Sequence, residues 1–223
     1  MASASGAFFY SVLIYLLVVL FLITLMESRN KMKKQLPLLV VLSTMCAMPV
    51  MAASTEQNAF FDKIAAHCGK AFEGVVTAGN SADSAFSGKK LVMHVRECSD
   101  KELKVPFHVG DDHSRTWVIT KTDSGLRLKH DHRHQDGTED KVTMYGGDTI
   151  DNGTAQLQSF PVDQFSIDNF TQNGLSQSVT NVWHVGISDT SYLYRLTREN
   201  RDFKVEFDLT KPVALPPTPW GHK

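Results

Sequence analysis

The chain has 223 residues, 42% hydrophobic and 21% charged, with 23 Lys and Arg against 24 Asp and Glu and a formal net charge of −1. That balance lacks the concentrated basic surface that nucleic acids and anionic membranes require, so no nucleic-acid partner is expected. No internal repeat or low-complexity tract is evident.

The N-terminal quarter reads as two apolar segments. Residues 7–26, AFFYSVLIYLLVVLFLITLM, carry no charge over 20 positions, enough to span a bilayer as a helix. Residues 32–52 read as a bacterial signal peptide with its own initiator at Met32. Lys33 and Lys34 form its n-region, residues 36–45 its h-region, and Val50-Met51-Ala52 a cleavage signal before Ala53. Residues 1–31 are then either a transmembrane helix or sequence upstream of the true start. The second reading is preferred, because a complete leader begins at an internal Met. The lipoprotein alternative fails because Ser43-Thr44-Met45 precede Cys46 where a lipid-modified Cys wants Leu and small residues. The expected location is periplasmic or extracellular, with membrane attachment only if residues 7–26 are retained. The mature domain itself is expected not to be membrane-embedded.

Residues 53–223 form a single expected domain of 171 residues. The leader carries four of the 23 basic residues and one of the 24 acidic ones, so this domain has a net charge of −4. Two cysteines remain, Cys68 and Cys98. In an oxidising compartment, with no Cys-x-x-Cys present, a structural disulfide is expected over a reactive pair, contributing roughly 3 kcal/mol.

One helix is expected first. Phe60, Phe61, Ile64, Ala65 and Cys68 recur at helix-face spacing, with Ser54 or Thr55 as cap and Gly69 as stop. Strands then follow at 73–77, 90–97, 105–109, 115–122, 126–134, 141–145, 155–160, 181–187, 192–198 and 202–209, rich in Val, Ile, Thr and aromatics. Asp123-Ser124-Gly125, Asp136-Gly137 and Glu199-Asn200-Arg201 supply turn chemistry between them. Residues 161–180 lack alternation and are expected as a loop or a short helical lid. The Pro-rich tail from Pro212 to Trp220 should lie extended on the surface. The expected class is all-β: an antiparallel up-and-down meander of about eight to ten strands closing into a barrel, preceded by one short helix.

This layout resembles the calycin-like barrels, the lipocalins and fatty-acid-binding proteins, with Cys68-Gly69-Lys70-Ala71-Phe72-Glu73-Gly74 similar to their helix-to-first-strand transition. The Gly-x-Trp signature of true lipocalins is missing. The phrases Lys129-His130-Asp131-His132-Arg133-His134 and Tyr145-Gly146-Gly147 resemble those of uncharacterised secreted bacterial proteins, a likeness that implies no activity.

His130, His132 and His134 share one face of a strand behind Leu126 and Leu128, with Arg127, Lys129, Asp131 and Arg133 on the other. Imidazoles about 7 Å apart can converge on Zn, Cu or Fe, with His94, His108, His113, His184, Asp111 or Asp112 completing the set. The same stripe also reads as ordinary polar residues near a hairpin tip. Asp111-Asp112-His113-Ser114-Arg115 reads as an Asp-rich turn. No nucleophile elbow, phosphate loop or His-Glu-x-x-His is present, so hydrolase chemistry has no support and a non-enzymatic protein is expected. Trp117, Trp183, Tyr192, Tyr194, Phe203 and Phe207 are either core or the wall of a ligand cavity. The leading expectation is a binder of a small lipophilic or amphipathic molecule, with Trp117 and Trp183 as wall and Arg96 or Arg195 anchoring a carboxylate. A metal-dependent protein using the His stripe, and an envelope structural protein, are the alternatives.

Overall fold

The computed structural model describes residues 53–223. The leader and the apolar segment at 7–26 lie outside the described residues. Among the described residues no helix is long and apolar enough to cross a membrane.

Ser54 starts helix α1 (Thr55–Ala65) with a capping box: its hydroxyl accepts the Gln57 N–H, and the Gln57 side chain accepts the Ser54 N–H. Phe60, Phe61 and Ile64 are fully buried along one face. Cys68 falls in the turn beyond the helix, where Gly69 takes a left-handed φ of 79°.

Eleven strands follow: β1 (Ala71–Ala78), β2 (Leu91–His94), β3 (Glu97–Cys98), β4 (Glu102–Val109), β5 (Asp112–Thr122), β6 (Gly125–His132), β7 (Tyr145–Asp148), β8 (Leu157–Pro161), β9 (Val182–Ile187), β10 (Ser191–Arg198) and β11 (Arg201–Val213). Every ladder is antiparallel. The order around the sheet is β7-β6-β5-β4-β2-β1-β11-β10-β9-β8, with the two-residue β3 paired to β4. The first and last strands therefore pair, and the expected meander bends into a nearly closed barrel. Period-two burial explains the strands: in β11, Phe203, Val205, Phe207 and Leu209 are buried while Lys204, Glu206 and Asp208 face out.

The expected strand 90–97 breaks into β2 and the two-residue β3, and the expected loop or short lid at 161–180 is helical. Residues 141–144 are loop, with Met144 at a left-handed φ of 53°, and the strand begins only at Tyr145. Residues 161–180 hold helix α2 (Gln164–Gln172), capped by Asp163, followed by a 3-10 turn at Ser176–Ser178.

The seam lies between β7 and β8, where no ladder runs. It is joined by the Asp163 N–H donating to the Gly146 carbonyl at 2.9 Å, by the Ser166 hydroxyl bonding both Gly146 backbone groups, and by a Lys129–Asp163 ion pair. A Cβ on Gly147 would fall 1.7 Å from the Pro161 carbonyl oxygen, so only glycine allows this approach.

Helix α1 closes one end. Gln57 donates to Thr149 Oγ1 and to the Asp151 carbonyl, and Lys121 Nζ sits 4.3 Å over the Phe61 ring. Cys68 and Cys98 are disulfide-linked, Cα to Cα 6.3 Å, tying the helix's exit turn to β3.

Reducing that exposed bridge should lower stability by about 3 kcal/mol, read as a fall in denaturation midpoint with and without reductant. Gly147→Ala should cost about 3 kcal/mol because the seam must part. An unchanged melting temperature for that variant would show the seam to be looser than described.

Candidate functional site

The barrel is filled at the α1 end and hollow at the other. Leu103, Ile119, Leu126 and Leu128 pack against one another beside α1. Toward the opposite mouth the inward positions become His130 and His132 on β6, Trp117 and Arg115 on β5, Trp183 on β9, and Tyr194, Leu196 and Arg198 on β10. They enclose a cavity of about 360 Å³. Phe86 from the 3-10 turn Ser81–Phe86, Phe170 from α2, and Gln177, Ser178 and Asn181 frame its mouth.

Its walls are rings. Trp117 stacks between Phe107 (4.9 Å, 18°) and Tyr194 (4.5 Å, 18°), and Phe86 continues the row beside Phe107 (6.1 Å, 11°). Beside this row His130, the cross-strand partner of Trp117, stacks on Tyr145 (4.6 Å, 12°), with Trp183 tilted 33° to Tyr145.

Hydrogen bonds fix the polar atoms on these walls. His130 Nδ1 lies 3.1 Å from the Tyr145 carbonyl, which can only accept, so Nδ1 carries the proton. Nε2 then accepts from the Tyr194 hydroxyl at 2.8 Å. His132 Nε2 is 3.1 Å from the Tyr145 hydroxyl. Burial, reinforced by His132, lowers His130 to about 3. Burial and the Arg115 charge lower His132 to about 4. Burial pushes the Tyr145 hydroxyl up to about 12. All of these groups are neutral near pH 7, so the deep wall offers dipoles rather than charges.

The charges sit at the mouth. Arg115 pairs with Asp112 at 2.6 Å and Arg201 with Asp83. Arg198 bonds only the neutral Asn181 Oδ1, at 3.1 Å. Burial, then the Arg201 charge, lowers Arg198 below the usual guanidinium value, with Asp83 opposing.

Of the residues singled out from sequence, Trp117 and Trp183 line the cavity; Arg96 and Arg195 do not. Arg96 pairs with Glu97 and bonds the Lys223 carbonyl, and Arg195 forms a two-point pair with Asp202 on the outer surface. His130 and His132 enter the cavity, while His134 is exposed beyond the end of β6 and does not converge with them. The other histidines are dispersed. His184 bonds Ser159 and Thr197, and His108 and His113 face each other at 2.6 Å through their Nδ1 atoms. Among the described residues no group of three or more His, Cys, Asp or Glu could hold a metal ion. Arg115, Arg198 and Tyr145 were missed, although strand period alone sets Arg198 on the face of Tyr192, Tyr194 and Leu196, opposite Arg195.

No protein family, curated protein or solved structure matches this chain. What the fold and site define is a class: an antiparallel barrel, sealed at one end by a helix and hollow at the other.

His108, lowered to about 4 mainly by burial, joins His130 and His132 as a histidine held neutral. In the unfolded chain each returns to its ordinary value of 6.5. Their folded values lie below that, so their stabilising contribution is complete above 6.5 and is lost as pH falls through the folded values. For His130 the loss should reach about 1.4 kcal/mol per pH unit. Thermal melts at about pH 7 and about pH 4.5 should show wild type falling more steeply than His130→Phe, and equal slopes would refute the assignment.

Proposed function

We propose that residues 53–223 are an exported, non-enzymatic barrel that carries a small apolar or amphipathic ligand in the hollow half. The observation that carries this reading is the cavity itself. At about 360 Å³ it lies within the range of small-molecule sites, is mostly apolar, and has a few polar groups fixed in place. The signal sequence at 32–52 and the surface disulfide support a periplasmic or extracellular setting, where thiols oxidise. The neutral, hydrogen-bonded state of His130 and His132 suits recognition at neutral pH better than proton transfer.

Intrinsic fluorescence offers the direct test, because Trp117 and Trp183 stand in the wall while Trp220 lies in the tail against His113. Titration with lipophilic compounds should perturb emission in wild type and in Trp220→Phe, and the response should vanish when Trp117 and Trp183 are both replaced by Phe. Leu196→Trp, which fills the cavity from a partly exposed wall position, should abolish binding while leaving the melting temperature near that of wild type. Saturable binding that survives this variant would locate the ligand elsewhere and end the proposal.

A further inference from the structure

Three features of the cavity specify a ligand class more narrowly than "lipophilic". The first is ring content. Half of the lining residues carry aromatic or imidazole rings, whereas only Val142, Leu175 and Leu196 are aliphatic. The rings of the Phe86-Phe107-Trp117-Tyr194 row stack on one another at 11° to 18°, so both faces of Trp117 are covered and the row offers the cavity mainly ring edges. A flat ring system gains offset-stacked and edge contacts from such surfaces that a flexible alkyl chain does not, and it loses less conformational freedom on being held.

The second feature is sign. Three arginines line the cavity and no Asp or Glu does. This runs against the domain's net charge of −4, so the mouth is a local positive field on an acidic protein. The third is stoichiometry. Asp112 neutralises Arg115 and Asp83 neutralises Arg201, each from outside the lining. Among the described residues Arg198 makes no ion pair, and a neutral amide is its side-chain hydrogen-bond partner. A half-buried guanidinium in a lining whose two other arginines are already paired leaves one positive charge for an incoming group. Its fork can take two oxygens of that group side by side.

We propose that the ligand is a planar aromatic monoanion, its ring system against the ring-lined wall of the cavity and its carboxylate or equivalent oxyanion at Arg198 by the mouth. This rests on the cavity being a binding site, and it adds shape, charge and orientation. Entry is headgroup-last: the ring passes Phe86 and Phe170, and the anion stops at Asn181 and Arg198. At the deep end, made of neutral His130, Tyr194 and Tyr145, the one guanidinium within reach, Arg115, is already paired with Asp112, so the reverse orientation would strand the anion.

Three small probes separate the components. Naphthoate is planar and anionic, naphthamide is planar and neutral, and undecanoate matches naphthoate in carbon count and charge but is flexible. Titrated calorimetrically or by Trp quenching, naphthoate should bind about tenfold or more tightly than either of the others. Arg198→Gln should bring naphthoate down to the level of naphthamide and leave naphthamide unchanged, with an unaltered melting temperature. Equal affinity for naphthoate and naphthamide, or undecanoate binding as tightly as naphthoate, would overturn the inference while leaving the cavity a binding site. Failure of all three probes to bind would overturn it together with the reading on which it rests.

Discussion

The barrel depends on a closure made without a ladder. Strands β7 and β8 are consecutive in the chain yet do not pair, and what lets them meet is the absence of a side chain at Gly147, while Gly146 allows β7 the same close approach to Leu128 on β6. Because the backbones meet, Asp163 can reach the Gly146 carbonyl, and Ser166 can satisfy both Gly146 backbone groups inside a fully buried contact. Buried peptide groups at an unpaired edge would otherwise lack partners. The same contact starts α2, since Asp163 is its N-cap, and α2 carries Phe170 to the cavity mouth. It also fixes Tyr145, one residue before the glycine pair, whose carbonyl sets the His130 tautomer and whose ring stacks on it. Seam, lid and deep wall are thus one construction.

Along β6 and β10 the inner face changes character once. On β6 it runs Leu126, Leu128, His130, His132, and on β10 Tyr192, Tyr194, Leu196, Arg198. Packing near α1 is dense and apolar, and α1 itself fills the end with Phe60, Phe61 and Ile64. The histidines stand where packing stops. Holding them neutral against their ordinary value is a standing loss of stability in acid, tolerable because each ring nitrogen of His130 has a partner.

Much of this is legible in the sequence, and its failures have causes. The shared face of Leu126, Leu128, His130 and His132 follows from period-two geometry, as do the outward Glu206 and Asp208. The disulfide follows from having two cysteines in an exported domain. Residues 141–145 mislead because Val142 and Met144 alternate with Thr143 and Tyr145 like strand residues, whereas the left-handed φ of Met144 breaks the run. Arg195 stands among apolar neighbours in the sequence, although parity on β10 sets it outside and Arg198 inside. Arg96 falls between β2 and β3, where no strand period applies. Whether the interior is filled could not be read at all, since the void depends on volumes contributed by strands distant in sequence.

The outer wall of the cavity explains how its geometry is kept. Beside inward His130, the outward Asp131 is also buried, bonded by Arg133 at 3.0 Å and approached by His222 at 3.6 Å. The tail crosses here: the Trp220 N–H donates to the His113 carbonyl at 3.0 Å, and Arg96 holds the Lys223 carbonyl at 2.7 Å. Strands β5 and β6 are therefore covered on both faces at the hollow end, where a missing core would otherwise leave them poorly supported. A cavity wall that cannot collapse inward onto side chains must be braced from outside, and the Pro-rich strap does this with little conformational entropy to lose. Arg96, which sequence suggested as an anchor for a ligand, instead anchors the brace.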